Sequence, residues 1–303
     1  MSFRWISRTV YLAPFVISAL AVVGALPAGG TPPGANGLIA FDSNRSRPCH
    51  VYSMRPDGSG VRKLTSSGLV NEYPAWSPNG TMIAFDRYMG TPGDFDLFVM
   101  KADGSGLRQL THGRADDYEP AWAPNGRKIA FTSDRSGHFD VWTVDIDGTH
   151  LTNLTPDRAR QYGPVWAPDS SAIAFTSART GTNQIWTMNP DGTSRHQLTD
   201  TRRTSELPDY SPGGTKIAFD RDLGDRNFDV FMMDATGGNM VPLTSSRRND
   251  FGPVYSPDGS MIAFTSNRTG DKDVWTMTAA GTSETDVTAH PDGDDSPSWQ
   301  PMP

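Results

Sequence analysis

The chain is poor in the features that would tie it to several common chemistries. It has one cysteine, Cys49, among 303 residues, so no internal disulfide can form. A lone thiol with no base placed by spacing reads as a structural residue rather than a nucleophile. Lysine and arginine total 27 against 34 acids, and no basic run occurs, which argues against a nucleic-acid partner. The six histidines, His50, His112, His138, His150, His196 and His290, lack the short spacings of a metal site. Neither a Gly-x-Ser-x-Gly elbow nor a phosphate-cradling glycine loop is present, so no nucleophile, base and orienter can be assembled. Long apolar runs are also scarce, with one near the start of the chain.

Glycine and proline are plentiful, at 30 and 24 residues, and they are regularly placed. The stretch from Tyr118 to Thr155 holds four short apolar pieces, each bounded by Pro, Asn, Asp or Gly, the pattern of strands joined by tight turns, with the segment ending Leu154-Thr155 expected as the outermost strand. Its Ile-Ala-Phe triplet recurs from Ile39, Ile83, Ile129, Ile173, Ile217 and Ile262, in steps of 44, 46, 44, 44 and 45 residues. An aromatic two residues after a proline recurs as Trp76, Trp122, Trp166, Tyr210, Tyr255 and Trp299, and another as Tyr52, Phe98, Trp142, Trp186, Phe231 and Trp275. A four-stranded unit repeated about every 40 to 45 residues is the signature of propeller blades. The expected fold is all-β: a six-bladed β-propeller of four-stranded antiparallel blades over residues 37–303. Ile39 has no Pro-x-Trp segment ahead of it, and Trp299 has no Ile-Ala-Phe behind it. The C-terminal strand is therefore expected to complete the first blade and remove a free sheet edge.

Ahead of the repeats, Arg4 and Arg8 precede an apolar run over 9–26 and the small residues Ala28, Gly29 and Gly30. This is the layout of a secretory signal peptide over 1–28, followed by a linker over 29–36. An uncleaved anchor is the alternative, and it would be the only membrane contact. Either way the propeller is expected in the periplasm or outside the cell. Net charge is −7, and becomes −9 once Arg4 and Arg8 leave with the signal.

Two sets of turns are nearly uniform from copy to copy, as in Ser77-Pro78-Asn79-Gly80 and Asp103-Gly104, and two sets of loops vary. Strand alternation puts the uniform turns on one rim and the variable loops on the other, so recognition is expected on the variable rim. Tyr73 to Gly80, with Ile83-Ala84-Phe85 and the later Asp103-Gly104, resembles the WD-like repeat of the TolB C-terminal propeller. The resemblance runs from Gly37 to Pro301. It implies a closed propeller, and related repeats serve periplasmic interaction proteins, prolyl peptidases and oligogalacturonate lyases.

The candidate site follows from the ring. Asn71, Asp117, Gln161, Ser205, Asp250 and Asp294 each stand three residues ahead of an inner-strand proline, with Glu72, Glu119, Glu206 and Asp295 close by. Around a channel mouth they would concentrate negative charge, attracting a basic segment or holding a cation such as calcium. Strand capping and pairing with arginines is the plainer role for most of them. Those arginines are Arg45, Arg135, Arg179 and Arg268, with Arg87 and Arg221 displaced in the second and fifth copies beside Asp86 and Asp220. Ion pairing between blades is expected of them, with carboxylate or phosphate recognition as the alternative. The reading reached is an exported, monomeric, non-catalytic module that needs no cofactor and binds a protein or peptide of the cell envelope. Its alternative is a metal-assisted, oligogalacturonate lyase-like enzyme, which would bring two or three loop histidines to one channel end.

Overall fold

A computed structural model describes residues 34–90, 94–200, 203–224 and 227–302. The expected signal and the start of the linker lie outside the described residues. The repeats form six separate four-stranded antiparallel sheets. In blade 2 the inner strand Asn71–Trp76 is followed by Met82–Tyr88, Phe95–Lys101 and the short outer strand Arg108–Gln109. Blades 3 to 6 repeat this order from inner strands Asp117–Trp122, Gln161–Trp166, Ser205–Tyr210 and Asp250–Tyr255. Blade 1 draws on both chain ends. Its inner strand is Asp294–Met302, paired with Ala35–Ser43, and His50–Met54 and Arg62–Lys63 complete it. This pairing of the two ends closes the ring as expected.

Each blade hides its faces against its neighbours. Trp122 of blade 3 packs in one cluster with Ala75, Ala84, Leu97 and Val99 of blade 2, and its indole N–H donates to the Ala75 carbonyl at 3.0 Å. Trp122 thus fills the space between two twisted sheets and satisfies its polar edge, whereas the indole nitrogens of Trp76, Trp166 and Trp299 at the equivalent positions have no hydrogen-bond partner among the described residues. The Asp-Gly turns do more than reverse the chain. Gly192, at φ +83°, would carry a Cβ 2.3 Å from the Leu154 carbonyl oxygen of the preceding blade, so a side chain there would force the blades apart.

The outermost strand differs from expectation. It spans two residues, as in Thr152–Asn153, and stops before the Leu-Thr pair that was expected to end it. Leu154 turns into the core, and the Thr155 hydroxyl takes over the ladder by accepting the Val141 N–H at 2.8 Å. The same substitution of side chain for backbone recurs at Thr65, Thr111, Thr199, Thr244 and Thr288.

Every inner strand also carries a one-residue bulge just before its proline. The third residue, Tyr73, Glu119, Gly163, Leu207, Gly252 or Ser296, is left-handed, with φ between 52° and 60°. The register slips there, as between Glu72 and Ala75. Bulges re-aim side chains. The residues around them meet at the ring axis, where Tyr73 of blade 2 packs on Tyr162 of blade 4 and Leu207 of blade 5. These three side chains fill the axis at that level.

Candidate channel-mouth site

The head residues of the inner strands do not face the axis. Asn71, Asp117, Gln161, Ser205, Asp250 and Asp294 are all buried. Their partners are the arginines, and the pairs run within a blade rather than between blades as expected. Arg45 meets Asp294 at 2.6 Å, Arg268 meets Asp250 at 2.5 Å, and Arg135 meets Asp117. The register explains this: Asp117 lies opposite Ser133, two residues before Arg135, whose guanidinium folds back onto it. In blade 4 Gln161 replaces the acid, and both it and Arg179 turn to Asp157. In blades 2 and 5 the arginine moves to the ladder position itself, Arg87 opposite Asn71 and Arg221 opposite Ser205. All six guanidiniums lie over the third-strand aromatic, from 4.5 Å for Arg268 on Trp275 to 5.7 Å for Arg221 on Phe231. Their stacked and paired positions give them a structural role within the blade.

The carboxylates one or two positions further on surround the filled axis. In blades 1, 2 and 5 an acid on the inner strand faces an acid on the second strand: Asp295 opposite Asp42, Glu72 opposite Asp86, and Glu206 opposite Asp220. Blades 3, 4 and 6 put an aromatic opposite threonine at these places, as in Tyr118 and Thr132. Facing like charges disfavour ionisation, and burial disfavours it further. Burial, then the Asp295 charge, pushes Asp42 up to about 7, and burial with Asp42 and Asp295 pushes Glu72 up to about 8. Asp86 and Asp220 rise well above the usual carboxylate range, through burial first and then Glu72 and Glu206 respectively.

The partners of these acids differ. Asp295 is paired with Lys272 of blade 6. Glu119 accepts the Gly163 N–H of the next blade at 2.6 Å and the Thr132 hydroxyl. Glu206 accepts from Asn183 of blade 4 at 2.6 Å. Asp42 accepts the Tyr73 N–H at 3.2 Å and the Cys49 thiol at 3.5 Å. The Glu72 side chain makes no hydrogen bond to any described residue, and its backbone pairs with Asp86 in the ladder. Fully buried Asp86 has one oxygen without a partner, and fully buried Asp220 has two. Above Glu72 opens a cavity of about 460 Å³ on the variable rim, lined by Asn44, Arg47, Cys49, Asp271 and Asp292 among others.

Sequence reasoning found Glu72, Glu119, Glu206 and Asp295 and noted Asp86 and Asp220, but passed over Asp42 and Lys272. The signal was the residue directly after each Ile-Ala-Phe, which is Asp42, Asp86 and Asp220 in three copies and Thr132, Thr176 and Thr265 in the others. Among the described residues no three His, Cys, Asp or Glu side chains are grouped closely enough to hold a metal ion. The histidines are dispersed: His50 is buried against Thr65, while His150 is exposed beside Asp145 near the opposite rim.

The family described as the TolB beta propeller domain matches residues 70–155 and 193–302, more than half of the chain. The chain belongs to this family. A relative named Protein TolB homolog, from Chlorobium luteolum, is 45% identical over 56 residues, which are 18% of this chain and 13% of that protein. The TolB family propeller also aligns with the crystal structure of TolB from Acinetobacter baumannii, with TM-score 0.79 and 21% identity over 88% of this chain and 67% of that one. A putative TolB from Agrobacterium tumefaciens gives TM-score 0.62 and 24% identity over 74% of this chain and 95% of that one. These structural likenesses establish the propeller. The catalytic alternative gains nothing from the dispersed histidines.

Proposed function

We infer that this TolB family propeller is an exported, non-catalytic interaction module that binds a protein or peptide of the cell envelope at its variable rim and acidic channel mouth. One observation carries the reading: the rim cavity ends on Glu72, an acid whose side chain has no hydrogen bond among the described residues, with Asp271 and Asp292 on its walls. Arg47 on the same wall pairs with Asp292 at 3.9 Å, so the acids still outnumber the one cation, and a solvent-facing cavity of that balance favours a positively charged partner surface. Export is supported by the signal-like segment, and periplasmic interaction proteins are among those the repeat resembles. A monomer is expected because the outer blade edges are two residues long, too short to template pairing. The runner-up occupant of the acidic wall is a divalent cation such as calcium, with no other cofactor needed.

The test is partner capture from envelope and secreted fractions by the wild type and by Asp271→Lys/Asp292→Lys, whose changes lie on the cavity rim. A partner retained by the wild type and lost by the double variant is expected. Retention that ignores the rim, or no partner at all, sinks the reading. Asp117 and Asp250 are unsuitable for this test, because their buried side chains are paired with arginines inside their own blades.

A further inference from the structure

The six blade junctions follow one rule near the axis. The residue just before the third strand's ladder aspartate, or its equivalent, stands by the second residue of the next blade's inner strand. From blade 6 to blade 1 these are Lys272 and Asp295, joined as an ion pair. From blade 2 to blade 3 they are Phe95 and Tyr118, with ring centroids 4.8 Å apart. From blade 3 to blade 4, Phe139 and Tyr162 hold the Arg160 guanidinium at 5.3 and 4.7 Å. From blade 4 to blade 5, Asn183 donates to Glu206 at 2.6 Å. From blade 5 to blade 6 the positions are Phe228 and Phe251, both apolar and buried. Each of these junctions matches charge with charge, polar with polar or ring with ring.

Blade 1 to blade 2 departs from the rule. The residues there are Cys49 and Glu72, and a buried thiol offers a carboxylate nothing that Lys272 offers Asp295. Behind Glu72 the fully buried Asp86 keeps an oxygen without a partner; Asp42 and Asp295 lie close enough to raise Glu72, and Lys272, whose own bond is to Asp295, only partly offsets them from the neighbouring junction. The cavity of about 460 Å³ opens at this junction, with Cys49 and Glu72 both in its wall. Its size suits a long side chain better than a bare ion. The grouping of acids found here is also unlike a metal site.

Building on the interaction reading, we propose that this junction is a socket for one cationic side chain, a lysine or arginine of the partner, which takes the place that Lys272 occupies one blade earlier. As its ammonium or guanidinium enters, Glu72 releases its proton to solvent and pairs with it as the carboxylate, and the methylene stem lies along Val70 and Pro48, which line the same cavity.

Amide NMR of the purified protein, titrated with acetyl-Gly-Lys-Gly-amide, tests the socket. Signals of Val70 and Gly293 shift and saturate, while the uncharged norleucine tripeptide leaves them in place. Glu72→Gln keeps the wild-type spectrum elsewhere and weakens the lysine peptide about tenfold or more. Cys49→Lys, which builds blade 6's cation into blade 1, abolishes the response; should it not fold, Glu72→Gln decides alone. Equal shifts with norleucine, undiminished binding by Glu72→Gln, or no saturable shift overturns the proposal. So does calcium chloride moving these signals at matched ionic strength when the lysine peptide does not. A partner lost by Asp271→Lys/Asp292→Lys but held unchanged by Glu72→Gln ends the socket and spares the interaction reading, whereas a partner indifferent to both ends the two together.

Discussion

Trp299 and Ile39 come from opposite ends of the chain and lie directly across one antiparallel ladder. The pairing makes blade 1 depend on both termini, and through it the ring. Trp299 is buried in one cluster with Ile39, Phe41 and Tyr52 and with Val254, Ala263 and Val274 of blade 6. Trp299→Ala should cost about 3–5 kcal/mol by urea unfolding. Ending the chain before Asp294 should go further, exposing the edge of Ala35–Ser43 and producing aggregates in size-exclusion chromatography. A truncated chain that stayed monomeric and melted like the parent would refute closure as a source of stability.

The buried Arg268 and Asp250 pair is expected to matter through what remains when half of it is removed. Asp250 is fully buried, so Arg268→Ala leaves a carboxylate without its cation and should destabilise by about 3–5 kcal/mol. Adding Asp250→Ala should recover part of that loss. A double-mutant cycle in urea measures the coupling, and additive effects would show that the pair contributes nothing of its own.

The threonine that continues the ladder gives a local prediction. Thr155→Val keeps the shape but removes the acceptor for the Val141 N–H, and should cost about 1–3 kcal/mol. Hydrogen exchange at Val141 should accelerate in this variant, while Thr155→Ser should largely preserve protection. Unchanged exchange in Thr155→Val would argue that the bond is not formed.

Stability should fall as pH rises from about 4 to about 8. Unfolded carboxyls titrate near 4, whereas Asp42 is pushed up to about 7 and Glu72 to about 8 in the fold. Across that window the folded chain binds protons the unfolded chain has released, so raising pH favours unfolding. For Asp258 burial is the largest single influence and raises it, but hydrogen bonds from Ser260, Ser256 and Asn36 together outweigh burial and hold the group at about 2, so its contribution is lost only in stronger acid. Thermal melts from pH 5 to 8 should drift downward in the wild type and flatten in Glu72→Gln. A melting temperature that climbs over this range contradicts the assignment.

Much of the fold was legible because its information is periodic. Ile129-Ala130-Phe131 and its five relatives carry strand preference, and the Pro-Asn-Gly and Asp-Gly pairs carry turn geometry, all within a few residues. The outer strand was placed too far along because Leu154 and Thr155 look like strand residues. Only the structure shows that a hydroxyl, not the backbone, makes the last bond. The site was half legible. Acid content near the inner strands could be read, but which acids face the axis is set by the bulge at Tyr73, Glu119 and Leu207, a left-handed turn of the backbone that these residue types do not announce.

The sequence by itself determined the number of blades, the order of strands and the closure by Trp299, because local propensity and repetition suffice for them. The tertiary structure alone decided that Asp117, Asp250 and Asp294 are spent on arginines of their own blades while the Glu72 side chain has no hydrogen bond among the described residues. That division depends on register and on the residue contributed by the preceding blade, such as Lys272 for Asp295 and Cys49 for Glu72. Such contacts join residues far apart in the chain, and no local pattern encodes them.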